Sequence, residues 1–492
     1  MSQSSEGDGP QQPGGAPADA GPATGGPWGI DSPGDGVGHG PGGRDAVSVT
    51  EGDLPPGVRP LPGRRRSHRQ IWLGNRDGEG PEGAADRKWT EEEVFSYVAP
   101  KGRVIGLDAA RGFALIGMVA VHTLPNWSPQ NYQTTLLWDL FAGHAAALFA
   151  VLAGITLAIL SGGPRPNIGP ELSRSRVQIA VRALVIMTIG MGVNFLDFPA
   201  YNILPYYGLM FLAAIPFLGF RIRYLLAMAL GSSLVGPVLA YFVNSGLDYQ
   251  PNFNINLVDP FLDAPVTLLS LFFGGTYPLA EWMPFIFLGM ALGRMRLTGI
   301  DVQIKLGLAG LILTGFAFFS SDTLLNFFGG WDRLLNATPG MTGADLFDIL
   351  DYGPPDGEHL PATTLWWLTI NAPHAGTSFS IFASAGMAVL AISIFLLAVR
   401  VYPVVLGPLM DAGTMTLTMY VSHLLFLAFV DFNAHPGVWF AVQLIAMLVF
   451  AYFWRTANTR GPLEAIVSRV VKRVGKLPSR EEAGSSVGAD KP

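Results

Sequence analysis

The chain has 492 residues, of which 49% are hydrophobic and only 14% are charged. Because soluble domains carry about a quarter charged residues, this deficit predicts a protein embedded in a membrane. The net charge of −6 is an average over unlike segments and indicates little, and no nucleic-acid partner is expected. The absence of cysteine excludes disulfides, thiolate nucleophiles and Cys-ligated metal sites.

The beginning of the chain differs in composition from the rest. Residues 1–45 are rich in Gly, Pro, Ala, Ser and Asp and have no apolar periodicity, so residues 1–95 are predicted to form a disordered cytoplasmic tail. A basic patch at 64–69 either touches anionic lipid headgroups or simply holds the N-terminus inside. No apolar segment follows Met1, which argues against a cleavable secretory signal.

Ten apolar segments of membrane length predict an all-α, polytopic helix bundle over residues 96–465, followed by a cytoplasmic tail at 466–492. The segments lie at 104–124, 134–161, 177–195, 202–220, 223–243, 279–297, 302–321, 378–400, 413–431 and 436–454. Lys and Arg are concentrated in alternate loops, whereas 244–278 has neither and 322–377 has only Arg333. By the positive-inside rule, this pattern predicts a multi-pass protein of the plasma or inner membrane with both termini inside.

Two outer loops, 244–278 and 322–377, are unusually long. They are rich in Asp, Asn, Trp, Gly and Pro, and loops of this length are usually functional or disordered. Their aromatic residues either line a site for a sugar-like or lipid substrate or anchor the protein at the interface. These residues are Tyr249, Phe253, Trp331, Trp366 and Trp367. The apolar stretch 264–274 is too short to span and is interpreted as interfacial or re-entrant.

Ionisable side chains inside the predicted helices are functional candidates, because polar groups are costly in hydrocarbon. Asp108 and Arg111 are three residues apart in the first helix and can neutralise each other. His122 follows Arg111 by about three turns, so the two side chains share a face. In the structural alternative, Arg111 snorkels with Asp108 as its partner and His122 is a solvated interfacial residue.

Further polar residues lie in other segments. The second helix contains Asp139 and His144, the ninth contains Tyr420 and His423, and His374 precedes the eighth. No two histidines have a His-x-x-x-His spacing with a supporting carboxylate, so no metal site is expected. The sequence has no phosphate-binding loop of the P-loop type, which argues against an ATP-driven pump.

The first helix also resembles a known signature. Its sequence Leu107–Leu115 resembles that of the transmembrane acyltransferase superfamily, and within it the bacterial membrane proteins related to heparan-α-glucosaminide N-acetyltransferase. Further stretches resemble the same family, and together they cover about 104–465. These stretches are Asn202–Gly208, Pro373–Ser378, Gly413–Tyr420 and Arg460–Glu464.

This resemblance implies transfer of an acyl group from acetyl-CoA or another acyl-CoA, bound from the cytoplasm, to an extracytoplasmic glycan or lipid acceptor. The spacing of Arg111 and His122 is similar to that of the related O-acyltransferases, in which the histidine is thought to be catalytic. The N-acetyltransferase branch commonly has Asn at this position. Residues 123–138 contain no match to the histidine that precedes the second helix of the lysosomal enzyme.

The residue types fit this chemistry. A neutral imidazole can remove a proton from a hydroxyl or amine that attacks a thioester, or can take the acyl group itself. Arg111 can bind a CoA phosphate or stabilise developing negative charge. The candidate catalytic residues are Asp108, Arg111, His122 and His144, and the candidate substrate-binding residues are Asp139, His374, Tyr420 and His423.

Membrane lipids are also expected as partners. Two other functions remain open, a secondary transporter and a non-catalytic scaffold with the same fold. A transporter would show helices interrupted by Gly or Pro at corresponding positions in two repeats, and no clear repeat is found.

Overall fold

The computed structural model describes residues 103–247, 249–355 and 359–474. In this part of the chain the regular secondary structure is all helical, as the sequence predicts. The predicted N-terminal tail with its basic patch, and residues 475–492 of the predicted C-terminal tail, lie outside the described residues.

The described part of the chain contains seventeen α-helices in sequence order. Their bounds are α1 Ile105–Thr123, α2 Leu136–Phe141, α3 His144–Leu160, α4 Gly169–Val193, α5 Leu204–Ala214, α6 Ile222–Gly246, α7 Asp259–Leu262, α8 Ala264–Leu269, α9 Leu279–Gly293, α10 Ile300–Asp322, α11 Gly330–Ala337, α12 Gly343–Tyr352, α13 Ser378–Val401, α14 Gly407–Gly413, α15 Thr416–Phe429, α16 Pro436–Ala457 and α17 Pro462–Val474. Short 3-10 or π turns span Ile215–Phe217, Ser270–Gly274, Thr323–Phe327 and Leu365–Thr369.

Seven helical segments of the described chain are long and apolar enough to cross a membrane. They are Ile105–Thr123, Leu136–Leu160, Gly169–Val193, Ile222–Gly246, Ile300–Phe327, Ser378–Val401 and Pro436–Ala457. The pair α14 and α15 makes an eighth if this pair, bent by 83°, is one span. Shorter apolar helices at Leu204–Phe217 and Leu279–Gly293 occupy the other two segments predicted from the sequence. The chain is thus a polytopic helical bundle, while ten crossings and the orientation remain predictions.

Helix α1 lies at the centre of this bundle. It packs against α3, α13 and α14, and most of its residues are buried, whereas α16 exposes most of its apolar surface. Two glycines allow α1 and α14 to approach closely. A Cβ added to Gly413 would overlap the backbone of Asp108, and one added to Gly112 would overlap the carbonyl of Leu409. Small residues let helix backbones approach in this way, which brings α14 beside the charged part of α1.

The second long outer loop folds into a small helical unit, here called the outer cap, comprising residues 322–355 and 359–377. Trp367 is fully buried in its core. The other buried core residues are Leu325, Leu334, Leu346, Ile349, Ile370 and Ala372. Helix α12 begins with a reciprocal cap, in which the Thr342 hydroxyl accepts from the Asp345 amide and the Asp345 carboxylate accepts from the Thr342 amide. The outer cap therefore has a hydrophobic core of its own.

The last described helix, α17, continues past the predicted domain boundary at residue 465. Val467 and Val471 are buried, and the helix packs against α4. The Thr418 hydroxyl donates to the Glu464 carboxylate at 2.6 Å, so the family-like stretches in α15 and α17 are in direct contact.

Candidate functional site

A cavity of about 660 Å³, here called the outer cavity, lies between the outer cap and the helix ends that are predicted to face outward. Its aromatic lining consists of Trp138, Phe198, Tyr201, Tyr241, Phe253, Phe273, Tyr277, Tyr352 and Trp367. Its polar lining includes His122, Asn244, Asn254, Thr276, Glu281, His359 and His374. Apolar walls with a few convergent polar groups are typical of small-molecule sites, and this volume is in their usual range.

Of the five loop aromatics singled out in the sequence, two line the outer cavity and three make other contacts within the protein. Phe253 and Trp367 line the outer cavity. Trp331 and Trp366 pack against the core of the outer cap. Tyr249 lies behind the wall, where its hydroxyl donates to the Asn244 side chain at 2.7 Å.

His122 enters the outer cavity from the last turn of α1 and belongs to a hydrogen-bonded chain. Its Nδ1 lies 3.0 Å from His423 Nε2, and the two rings are stacked within 3° of parallel. His423 Nδ1 lies 2.7 Å from Gln443 Oε1. Gln443 Nε2 in turn donates to the Thr123 hydroxyl at 3.2 Å. These hydrogen bonds connect α1, α15 and α16 through polar side chains inside the bundle.

These hydrogen bonds fix the tautomers of both histidines. Because Gln443 Oε1 only accepts hydrogen bonds, His423 Nδ1 must carry the proton that it shares, and His423 Nε2 is then an acceptor. His122 Nδ1 must therefore donate to His423 Nε2. The remaining ring nitrogen of His122, Nε2, keeps its lone pair and is the one available to a molecule in the outer cavity.

His374 lies beside His122 and His144. It lines the outer cavity and also a small adjoining pocket of about 30 Å³. His144 lines only the small pocket, where its Nδ1 lies 2.9 Å from the Ser384 hydroxyl. The backbone of His374 has a φ of 53°, in the left-handed region that is costly for a side chain of this kind. The structure thus brings together three of the predicted histidines.

Glu281, in the first turn of α9, separates the two spaces and was not singled out from the sequence. It lines both the outer cavity and the small pocket. Its carboxylate occupies the position that a Cβ on Gly376 would need, and Gly376 has a φ of 65°. Burial and the nearby Glu281 charge raise the pKa of Tyr249 to about 12. The sequence could have identified Glu281 as a functional candidate, because it is an ionisable residue within a predicted span.

His359 and Thr276 contribute further polar atoms to the outer cavity. His359 Nε2 and the Thr276 hydroxyl are buried and have no hydrogen-bond partner among the described residues. Burial lowers the pKa of His359, so its ring is neutral at pH 7. Buried polar atoms normally have a hydrogen-bond partner, so these two atoms can pair with water or with a ligand in the outer cavity.

The charged residues at the other end of α1 form a separate group. Asp108 accepts hydrogen bonds from Arg111 at 2.6 Å and from Arg103 at 2.7 Å, and Arg111 also donates to the Thr156 hydroxyl. The predicted pairing of Asp108 with Arg111 is thus observed, while the participation of Arg103 was not anticipated. None of these residues lines the outer cavity.

A second ion pair lies close to this group. The buried Arg455 of α16 contacts Asp411 of α14 at 3.5 Å and interacts electrostatically with Arg103 and Asp108. We refer to Arg103, Asp108, Arg111, Asp411 and Arg455 as the inner cluster.

Three of the predicted substrate-binding residues do not reach the outer cavity. Tyr420 is buried, and its hydroxyl interacts with the backbone of Tyr201 and Ile203. His423 is fully buried behind His122. Asp139 is exposed, although its neighbour Trp138 lines the cavity. Of the four candidates, only His374 is placed to contact a ligand there, because the other three side chains are directed into helix contacts or to the surface.

Comparison with known families adds a further observation. Residues 103–328 match the family model for the heparan-alpha-glucosaminide N-acetyltransferase catalytic domain. No curated protein matches the chain significantly. The match begins just before α1 and ends after α10, so that it includes Asp108, Arg111, His122 and Glu281 but not His374 or His423. The match supports the resemblance drawn from the sequence: residues 103–328 of this multi-pass membrane protein are similar to the heparan-alpha-glucosaminide N-acetyltransferase catalytic domain.

Proposed function

We propose that the protein transfers an acyl group, in the first instance acetyl, from acyl-CoA on the cytoplasmic side to an acceptor in the outer cavity. The acceptor is a hydroxyl or amine of a glycan or lipid. The observation that carries this proposal is the hydrogen-bonded chain of His122, His423 and Gln443, because it ends at the cavity in an unprotonated ring nitrogen.

His122 is the general base in this reaction. The acceptor oxygen or nitrogen attacks the thioester carbonyl carbon, and its proton moves to His122 Nε2. The bond between carbon and sulfur then breaks, and the CoA thiolate takes up the proton to leave as the free thiol. The hydrogen bond from His122 Nδ1 to His423 strengthens while His122 is cationic, which supports proton transfer. In a two-step variant His122 Nε2 first takes the acyl group and then passes it on.

The inner cluster supports binding of the donor. Three guanidinium groups share two carboxylates in this cluster, so it has an excess of positive charge. Arg111 and Arg103 remain partly exposed, with 21% and 34% of their side-chain surfaces accessible. Phosphate groups of CoA bind favourably to such a cluster, and a guanidinium can contact two phosphate oxygens at once.

The test is turnover by the purified full-length protein in lipid nanodiscs, with acetyl-CoA as donor and glucosamine as acceptor. His122→Ala is expected to lower kcat by about a hundredfold or more, while the KM for acetyl-CoA stays the same. The matched control is His435→Ala, because His435 is an exposed histidine outside the cavity. Near-normal turnover by His122→Ala would overturn the proposed role and direct attention to His144 and then His374.

A further inference from the structure

Glu281 is a carboxylate enclosed by protein, with no cationic side chain beside it among the described residues. It has no hydrogen-bond or ion-pair partner among the described residues, and none of the described residues that line the outer cavity or the small pocket is Lys or Arg. The other titratable side chains that face it are histidines and tyrosines, namely His122, His144, His359, His374, Tyr201, Tyr241, Tyr277 and Tyr352. An unpaired carboxylate in such surroundings is costly, and a cationic ligand relieves the cost.

The shape around Glu281 also suits a cation. Nine aromatic residues of the described chain line the outer cavity, among them Tyr277, whose ring centroid lies 4.8 Å from that of Trp282 and 5.9 Å from that of His374. Aromatic walls with one carboxylate attract ammonium groups through both the ring faces and the negative charge. The unpaired His359 Nε2 and Thr276 hydroxyl add hydrogen-bonding capacity for the rest of the ligand.

The surface next to the outer cavity is acidic. Trp138 and Tyr352 line the cavity and pack together with ring centroids 6.1 Å apart, and Trp138 donates to the Asp351 carbonyl. Asp139 and Asp348 lie near Asp351. Burial and the charges of these two neighbours raise the pKa of Asp351. These three exposed or half-exposed carboxylates, the acidic rim, create a negative potential that draws cations toward the cavity.

We propose that Glu281 binds a cationic amine in the outer cavity and is the residue that selects an amine over a hydroxyl acceptor. This inference rests on the proposed function in taking the ammonium group to be the nucleophile of the acyl transfer. An ammonium ion has no lone pair, so it must lose one proton before it attacks. Glu281 accepts this proton, and His122 accepts the second proton as the amide bond forms.

The protons balance in this scheme. The amine enters with three protons on nitrogen and keeps one in the amide product. The proton held by His122 passes to the CoA thiolate, and the proton held by Glu281 is released to water through the outer cavity.

Gly376 keeps the space that Glu281 needs. Any side chain at 376 would collide with the Glu281 carboxylate, and the positive φ of this residue also favours glycine. Gly376→Ala is therefore expected to displace Glu281 while leaving its charge in the protein.

The experiment measures binding to the full-length protein in nanodiscs by calorimetry, without acyl-CoA. The probes are glucosamine and glucose, which differ by one amine in place of one hydroxyl. Wild-type protein is expected to bind glucosamine at least about tenfold more tightly than glucose at pH 7. Glu281→Gln, which keeps the size and hydrogen bonding of the side chain, is expected to remove this preference by weakening glucosamine binding alone. Gly376→Ala should weaken glucosamine binding in the same direction.

The matched control is Glu171→Gln, because Glu171 is also in the first turn of an apolar helix, after a proline, but lies outside the outer cavity. It should retain the preference for glucosamine. Equal affinity of wild-type protein for the two sugars, or an unchanged preference in Glu281→Gln, would overturn the inference. Binding without acyl-CoA separates the two proposals, since a protein that binds glucosamine through Glu281 but transfers no acetyl group refutes only the proposed function.

Discussion

The two ends of α1 have opposite electrostatic character. At its beginning, the inner cluster contains arginines in excess of carboxylates. At its end, the outer cavity contains one carboxylate, histidines and aromatic rings, with no Lys or Arg among its described lining residues. One helix therefore joins a region suited to polyanionic CoA with a region suited to a neutral or cationic acceptor. Under the proposed function, this difference lets the donor bind at one end of α1 and the acceptor at the other.

The largest expected effect comes from changing His122 at the outer end. His122→Asn is expected to lose about a hundredfold in kcat, as His122→Ala does, because an amide does not act as a base at neutral pH. The N-acetyltransferase branch commonly has Asn at this position. This variant therefore tests whether the protein uses a base that the branch lacks there. Steady-state rates of CoA release measure the effect. Activity within a few-fold of wild type would place the base elsewhere in the outer cavity.

Changing Arg111 probes the inner end. Arg111→Ala is expected to raise the KM for acetyl-CoA by about tenfold with a smaller change in kcat, since one phosphate contact is lost. Arg111→Lys should not restore the KM fully, because an ammonium lacks the bidentate fork. Arg103 still contacts Asp108 at 2.7 Å in these variants, so we expect only a modest loss of thermal stability. Kinetics at varied acetyl-CoA, with thermal unfolding as the control, measure both effects; an unchanged KM would contradict the assignment.

Changing Gln443, which holds His423 behind His122, is expected to have a smaller effect. Gln443→Leu removes the acceptor that fixes His423 and is expected to lower kcat by about tenfold and to alter its pH profile. Gln443→Glu keeps an acceptor at this position and should retain more activity than Gln443→Leu. A purely structural role for Gln443 would instead reduce the amount of folded protein without changing the pH profile of kcat.

The acidic rim is expected to have the smallest effect. Asp351→Asn should lower the rate of glucosamine association by about two- to threefold at low salt, and the difference should vanish at high salt because surface charges are then screened. The folded-state pKa of Asp351 is raised, so its ionisation opposes folding above the ordinary carboxyl pKa. The same variant should therefore be slightly more stable at pH 7, with the gain lost below about pH 4. Stopped-flow binding and thermal unfolding at the two pH values test both parts.

The sequence was informative where local patterns determine the structure. Hydrophobic runs place the apolar helices, and the spacing of Asp108 and Arg111 predicts an ion pair that the structure contains at 2.6 Å. The bend between α14 and α15 was not predicted, because residues 413–431 form one continuous apolar run. The core of the outer cap was also missed, since its residues are spread over a loop rich in turn-forming residues.

The candidate site was only half predictable. His122 follows from the rule that ionisable residues at membrane depth are functional candidates, whereas His374 was singled out in an outer loop, within a stretch that resembles the family. The contact of His122 with His423 joins residues 301 positions apart, and no local pattern reports such a pairing. Glu281 was overlooked, although it lies within a predicted span and the same rule applies to it. Gln443 carries no charge, although its side chain fixes the tautomer of His423 in the preceding helix.

The most direct test of the account is the sidedness of the reaction. Inside-out membrane vesicles that contain the full-length protein are loaded with glucosamine, and labelled acetyl-CoA is added outside, so that the predicted cytoplasmic face meets the donor. The account predicts that labelled N-acetylglucosamine accumulates inside the vesicles and that right-side-out vesicles, loaded and supplied in the same way, form none. Equal product in both orientations, or product only when acetyl-CoA reaches the face of the outer cavity, would contradict it.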